Sequence, residues 1–189
     1  MMIDFIKRFG KKNSILIGTV HNNINYTHFV DNLTKKETFD FFLIELNMQN
    51  LNFIKRNDVY FSEFYPVIKN VEQSKIALID ASNEIMLDKY SEITMSKDFF
   101  NSYISFKYNR YYYHLMRNIL RNEQKQEIRD LLSNFYENHH FHNVFIKFRE
   151  SLMLERILSF SNYKVCVIVG RNHFHQIFVH LSNLNNNNM

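Results

Sequence analysis

Two short apolar runs near opposite ends of the chain each lead to a glycine that is followed, three residues later, by a histidine. The run SILI leads to Gly18 and His21, and the run VCVIV leads to Gly170 and His173; the chain has only three glycines. A glycine at the end of a strand permits a sharp turn or the close approach of a ligand. Because the carboxyl ends of strands form the ligand-binding edge of an open α/β sheet, we expect the two histidines to face one pocket.

Two further apolar runs, at residues 41–44 and 75–79, end in Glu45 and Asp80. Strands that are apolar on both faces and separated by helical segments are typical of a parallel sheet covered by helices. We therefore predict an α/β fold with a mainly parallel central sheet flanked by helices. A long all-helical insertion at about 82–160 should precede the last strand, and a short amphipathic helix is expected at 3–9.

The composition predicts one α/β domain over residues 1–182 and a disordered Asn-rich tail at 183–189. The net charge of +4 permits an anionic partner but does not favour nucleic acid. The single cysteine, Cys166, lies in an apolar run and is expected to be a buried, reduced thiol. With no signal-peptide pattern and no transmembrane run, a cytoplasmic protein is expected. A homo-oligomer stays open.

Glu45 joins the two histidines as the third candidate site residue. A carboxylate directly after four apolar residues is costly to bury unless it is paired or binds a metal. Two imidazoles and a carboxylate are a common ligand set for zinc, and they also suit cobalt or manganese. For Glu45 alone, a helix cap or an arginine partner is favoured, whereas His21, Glu45 and His173 together favour a shared metal or catalytic site. In the catalytic version, one histidine is a base and Glu45 activates water.

Asp80 has two equally weighted interpretations, since it could accept a hydrogen bond from a site histidine or cap the following helix. With Gly18, Thr19 and Gly170, it completes the residues predicted to line a cofactor or substrate at the strand ends. The residues alone leave open whether the chain is an enzyme.

Five segments in the same order resemble the TraB/PrgY family and its Tiki relatives. Residues 15–21 read ILIGTVH, similar to the GT-x-H motif, and residues 43–46 read LIEL, similar to its V-E-L strand. Residues 77–80 read ALID, similar to its third conserved strand, and residues 149–153 read RESLM, similar to an R-D-x-x-M helix shared with ChaN and the erythromycin esterases. Residues 167–173 read VIVGRNH, similar to the closing V-V-G-x-x-H motif.

The resemblance implies a metal-based or His/Glu-based site at the carboxyl ends of the strands. Tiki proteins are metal-dependent peptidases, TraB proteins shut down peptide pheromone signals, erythromycin esterases activate water with a histidine and glutamates, and ChaN relatives bind haem. A metal-dependent hydrolase acting on a peptide or small molecule is the leading expectation. In it, Arg149 pairs with Glu45, stabilises an oxyanion or forms a structural ion pair, while Met153 packs in the core. The alternative is a non-catalytic protein that binds haem or a peptide.

Residues 103–121 predict a helix with one cationic face that includes Arg110 and Arg117. Such a helix could bind nucleic acid or a membrane surface. A solvated helix packed on the sheet is the favoured interpretation.

Overall fold

The structure is a computed structural model, and it describes residues 5–21, 23–36, 38–57, 62–82, 84–86, 88 and 139–186. The chain divides into two compact units, one of Met1–Ala81 with Phe148–Met189 and the other of Ser82–Lys147. The sheet and every site residue considered below belong to the first unit. The predicted cationic helix at 103–121 lies outside the described residues, as do residues 187–189 of the predicted tail.

Five strands form one sheet in the first unit. In chain order they are β1 Ile6–Phe9, β2 Ser14–Thr19, β3 Phe41–Ile44, β4 Ile76–Leu78 and β5 Val165–Gly170. Across the sheet the order is β1, β2, β5, β3, β4. All neighbouring pairs are parallel except β1 with β2. The predicted α/β fold with a mainly parallel sheet is therefore confirmed.

Helices flank this sheet and connect its strands. The described helices are α1 Ile24–Lys36, α2 Met48–Asn57, α3 Tyr65–Asn70, a 3-10 turn Gln73–Lys75, α4 His139–Ser159 and α5 Arg171–Asn186. α5 begins before the predicted closing helix and extends into the segment expected to be a disordered tail. Of the described helices, none has the length and apolar character needed to cross a bilayer.

One part of the core lies between the sheet and the two C-terminal helices. All six residues of β2 and all six of β5 are buried, as expected of central parallel strands. On one face, Leu16 and Val167 pack with Met153 of α4 and Phe174 of α5. Met153 is thus a core residue, as predicted, and Cys166 is a buried thiol.

The helix expected at residues 3–9 is wrong, because Ile6–Phe9 form the edge strand β1. It pairs antiparallel with β2, so that Ile6 lies opposite Ile17. The turn between these strands contains Gly10 and Asn13, both with positive φ. Since glycine and asparagine adopt that conformation most readily, the sequence G-K-K-N indicates a hairpin turn at this place.

Candidate active site at the carboxyl edge of the sheet

The carboxyl ends of β2, β5 and β3 bring the predicted site residues together. Thr19, the last residue of β2, lies opposite Gly170, the last residue of β5. On the other side of β5, the backbone N–H of Glu45 donates to the Ile168 carbonyl at 3.0 Å. His21 follows β2, and His173 lies in the first turn of α5. The two G-x-x-H motifs are thus adjacent, with Glu45 beside the second.

Glu45 is the buried centre of this arrangement. Its Oε1 accepts a hydrogen bond from Arg149 Nη2 at 2.8 Å, and its Oε2 accepts one from the Gly170 N–H at 2.5 Å. His173 Nε2 lies 3.4 Å from the same Oε1. The Gly170 amide adjoins the first residue of α5, where the helix dipole also favours a negative charge. The sequence left open whether Glu45 pairs with an arginine or shares a site with the histidines. In the structure it pairs with Arg149 and also lies beside His173.

These neighbours decide the ionisation of Glu45. Burial opposes the charged carboxylate, but the positive charges of His173, Arg149 and His21 outweigh burial and the repulsion by Asp80, so the pKa of Glu45 is lowered. Glu45 is thus a fixed anion at neutral pH, and removing its partners would leave a buried charge uncompensated.

Asp80 holds Arg149 in place. Arg149 Nε donates to Asp80 Oδ1 at 2.8 Å, and Nη2 donates to Oδ2 at 3.0 Å, which is a two-pronged ion pair. The Ala81 N–H also donates to Oδ1 at 2.8 Å. Asp80 was expected to accept from a site histidine or to cap the following helix, and its pairing with Arg149 differs from both roles. In the turn that follows, a backbone N–H donates to the hydroxyl of Ser82. Arg149 itself is only 11% exposed and pairs with Glu45, as the first expectation for it stated.

His173 lies between two carboxylates. Its Nδ1 is 2.9 Å from Glu150 Oε1, and its Nε2 faces Glu45. The side chain is 7% exposed. This histidine is therefore a buried part of the ionic network around Glu45.

His21 has a different environment, since its side chain is 50% exposed. Its Nδ1 lies 2.5 Å from Oε1 of Glu63, whose side chain is 1% exposed. The Thr19 hydroxyl lies 3.0 Å from the same oxygen and 3.2 Å from the Val169 carbonyl. A half-exposed imidazole is thus oriented by a buried carboxylate that contacts β2.

The pKa of Glu63 is also lowered. Burial again opposes ionisation, but the charge of His21 and the hydrogen bonds from His21, from the backbone and from Thr19 outweigh it. Glu63 is therefore ionised at neutral pH and acts as an acceptor only.

The two motif glycines are needed for close packing, and neither has a positive φ. A Cβ on Gly170 would lie 2.8 Å from His21 Nε2 and 3.2 Å from Glu45 Oε2. A Cβ on Gly18 would lie 2.9 Å from the Cβ and Cγ of Phe174. Each glycine thus makes room for a side chain at the end of the other motif: Gly170 admits His21, and Gly18 admits Phe174, the residue after His173.

Sequence reasoning missed Glu63 and Glu150, the carboxylates that orient the two histidines. Glu63 lies in the aromatic segment YFSEFYP, where an isolated acid surrounded by apolar residues signals a buried, paired carboxylate. Glu150 directly follows Arg149 in the RESLM segment. The cofactor roles predicted for Gly18, Thr19, Gly170 and Asp80 stay predictions.

The donor types at this edge fit zinc, cobalt or manganese, and a carboxylate at Nδ1 is the usual companion of a metal-binding imidazole. In the present arrangement each oxygen of Glu45 accepts a hydrogen bond, one from Arg149 and the other from Gly170. Within the described ranges, no group of three or more His, Cys, Asp or Glu side chains is placed to hold a metal. The metal site stays a prediction.

In comparisons with models of protein families, with curated proteins and with solved structures, nothing matches this chain. The resemblance to the TraB/PrgY family therefore stays an expectation from five short motifs.

Proposed function

We propose that this chain is a hydrolase of the TraB/Tiki type that cleaves an amide or ester bond in a peptide or small molecule. The observation that carries the proposal is the pairing of each motif histidine with its own carboxylate, His21 with Glu63 and His173 with Glu150, next to the buried anion Glu45. An imidazole oriented by a carboxylate is the arrangement with which unrelated hydrolases activate water or a hydroxyl group.

In the proposed reaction, an imidazole takes a proton from water while the water oxygen attacks the substrate carbonyl. The bond to the leaving group then breaks, and the same imidazole returns the proton to that group. His21 is the candidate base because it is half exposed, whereas His173 is buried. Glu45 favours the positive charge that develops on the imidazoles, and Arg149 keeps Glu45 ionised and in position.

Two other versions use the same residues. In the metal-dependent version, His21, His173 and Glu45 would hold a divalent ion, which would supply Lewis-acid activation. In the non-catalytic version, the exposed His21 imidazole, oriented by Glu63, binds haem iron or a peptide. The pairing of each histidine with a carboxylate favours the metal-dependent version. The exposure of His21 favours the non-catalytic version.

The test compares the wild-type chain with H21A, H173A and E45Q on p-nitrophenyl esters and fluorogenic peptides. H28A and H175A are the matched controls, because both histidines are exposed and lie on the helices that follow the motifs. Metal content is measured by elemental analysis, before and after zinc, cobalt or manganese is added.

Hydrolysis that falls about 10²-fold or more in H21A, H173A and E45Q, but not in the controls, supports the proposal. Stoichiometric metal that is lost in H21A and H173A would select the metal-dependent version, and metal-independent hydrolysis would remove it. Hydrolysis that survives in all three site variants contradicts the proposal. A Soret band without hydrolysis would select haem binding.

A further inference from the structure

Glu63 and Thr19 decide how the His21 ring is held. Two potential donors meet at one oxygen, Glu63 Oε1, with His21 Nδ1 at 2.5 Å and the Thr19 hydroxyl at 3.0 Å. The Glu63 side chain is 1% exposed and lies in the turn before α3, while Thr19 ends β2. The orientation of an exposed ring is therefore set by contacts buried beneath it.

The donor and acceptor roles at Oε1 follow from the charge of Glu63. An ionised carboxylate can only accept, so His21 Nδ1 must carry a hydrogen to bond with it. The Thr19 hydroxyl has a single hydrogen and two acceptors within reach, Glu63 and the Val169 carbonyl. The bond to the charged oxygen is the stronger of the two. Thr19 therefore ties Glu63 to the end of β2.

The other ring nitrogen of His21 lies on the reacting edge. Nε2 is 2.8 Å from the position that a Cβ of Gly170 would occupy, and Glu45 Oε2 is 3.2 Å from that position. In a neutral ring with the hydrogen on Nδ1, Nε2 carries the lone pair. That lone pair then belongs to the nitrogen nearest Gly170 and Glu45.

We infer that Glu63 and Thr19 are positioning residues that hold the neutral His21 ring in its Nδ1–H form, so that Nε2 is the nitrogen that acts on substrate. The inference rests on the proposed function for the action of Nε2, while the tautomer can be measured by itself. Neither residue touches substrate; they act through His21. The same tautomer would serve whether Nε2 accepts a proton or binds an ion.

The experiment is a long-range ¹H–¹⁵N correlation spectrum of the wild-type chain with ¹⁵N-labelled histidine, recorded at a pH at which the histidine rings are neutral. H21A assigns the His21 signals. E63L removes the acceptor and E63Q keeps the shape without the charge. T19V removes the hydroxyl and T19S retains it, while E150Q makes the corresponding change beside His173. Circular dichroism shows which variants are folded.

The expected result is the Nδ1–H form in the wild type, in T19S and in E150Q. E63L should show the Nε2–H form or a mixture, and E63Q and T19V should show intermediate populations. On a hydrolysed p-nitrophenyl ester, kcat should fall about 10²-fold or more in E63L with little change in KM, because the ring is misdirected rather than the substrate site lost.

A wild-type ring in the Nε2–H form, or an Nδ1–H ring that persists in folded E63L and E63Q, overturns the inference about Glu63. T19V indistinguishable from T19S overturns the part assigned to Thr19. If no substrate is hydrolysed, the proposed function fails, yet the spectra still decide the tautomer. If the wild type hydrolyses a substrate but its His21 ring is in the Nε2–H form, the proposed function stands and the positioning role of Glu63 and Thr19 is wrong.

Discussion

The same substitution at the two motif glycines should have opposite consequences. In G18A the new Cβ would be 2.9 Å from the Cβ and Cγ of Phe174, well inside the roughly 3.5–4.0 Å of an ordinary carbon contact. Phe174 is buried in the core, and its Cβ moves only with the backbone of α5. The helix must shift, at an overpacking cost of about 1–3 kcal/mol. For a chain of this size that lowers Tm by about 2–12 °C.

In G170A the new Cβ meets the far end of the His21 side chain, with Nε2 at 2.8 Å and Cε1 at 3.2 Å. Because this ring is half exposed, its Nε2 end can tilt towards solvent while Nδ1 keeps its contact with the buried Glu63. The Glu45 carboxylate needs to give only a few tenths of an ångström. Alanine also reduces the entropy of the unfolded chain, which offsets about 0.4–1 kcal/mol. The free energy of unfolding should therefore change by less than about 1 kcal/mol.

The two variants separate when stability and site geometry are measured together. Urea titration should show that G18A is clearly destabilised and that G170A is close to the wild type. Hydrolysis should show the reverse, since a displacement of about 1 Å at a reacting group can cost about 10²-fold in rate. A G170A protein that is the less stable of the two, or a G18A protein with unchanged stability, would refute the packing argument.

Two further predictions concern the buried charges. Arg149→Met leaves the carboxylates of Asp80 and Glu45 without their shared cation and should lower the free energy of unfolding by about 3–5 kcal/mol in urea titration. Arg149→Lys should recover part of this loss. A loss below about 1 kcal/mol for the methionine variant would contradict the role of this network. Burial opposes ionisation of Glu45 and Glu63, but the neighbouring positive charges prevail and their pKa values are lowered in the folded state, so the unfolded chain binds more protons in acid. Their stabilisation is present above about pH 4.3 and is lost as pH falls through the lower folded pKa values. Tm measured from pH 7 to pH 3 should therefore drop less in E63Q than in the wild type or in the exposed control E72Q; equal curves for all three would count against an ionised Glu63.

Much of the sheet could be read from the chain, since the four parallel strands are short, continuous apolar runs that need burial on both faces. The edge strand β1 is not such a run, because it is half exposed and contains Lys7 and Arg8, so that the turn residues Gly10 and Asn13 are its only local signal. Its pairing depends on the Gly10 turn and on the presence of β2.

The site was predictable where its residues directly follow a strand. His21, Glu45 and His173 were found because a polar residue after a buried run must lie at the carboxyl edge of the sheet. Glu63 and Glu150 lie at no strand end, so their partnership with the histidines depends on how the turn before α3 and the helix α4 pack.

The mainly parallel α/β sheet, and the presence of His21, Glu45 and His173 at its carboxyl edge, thus follow from local apolar runs and the residues that end them. The different environments of the two histidines do not follow from any local pattern. His173 is buried against Glu150 and Glu45, whereas His21 is half exposed and held by Glu63. Exposure and hydrogen-bond partners depend on distant segments that meet only in the folded chain, and that is the physical reason why two identical G-x-x-H spacings produce unlike imidazoles.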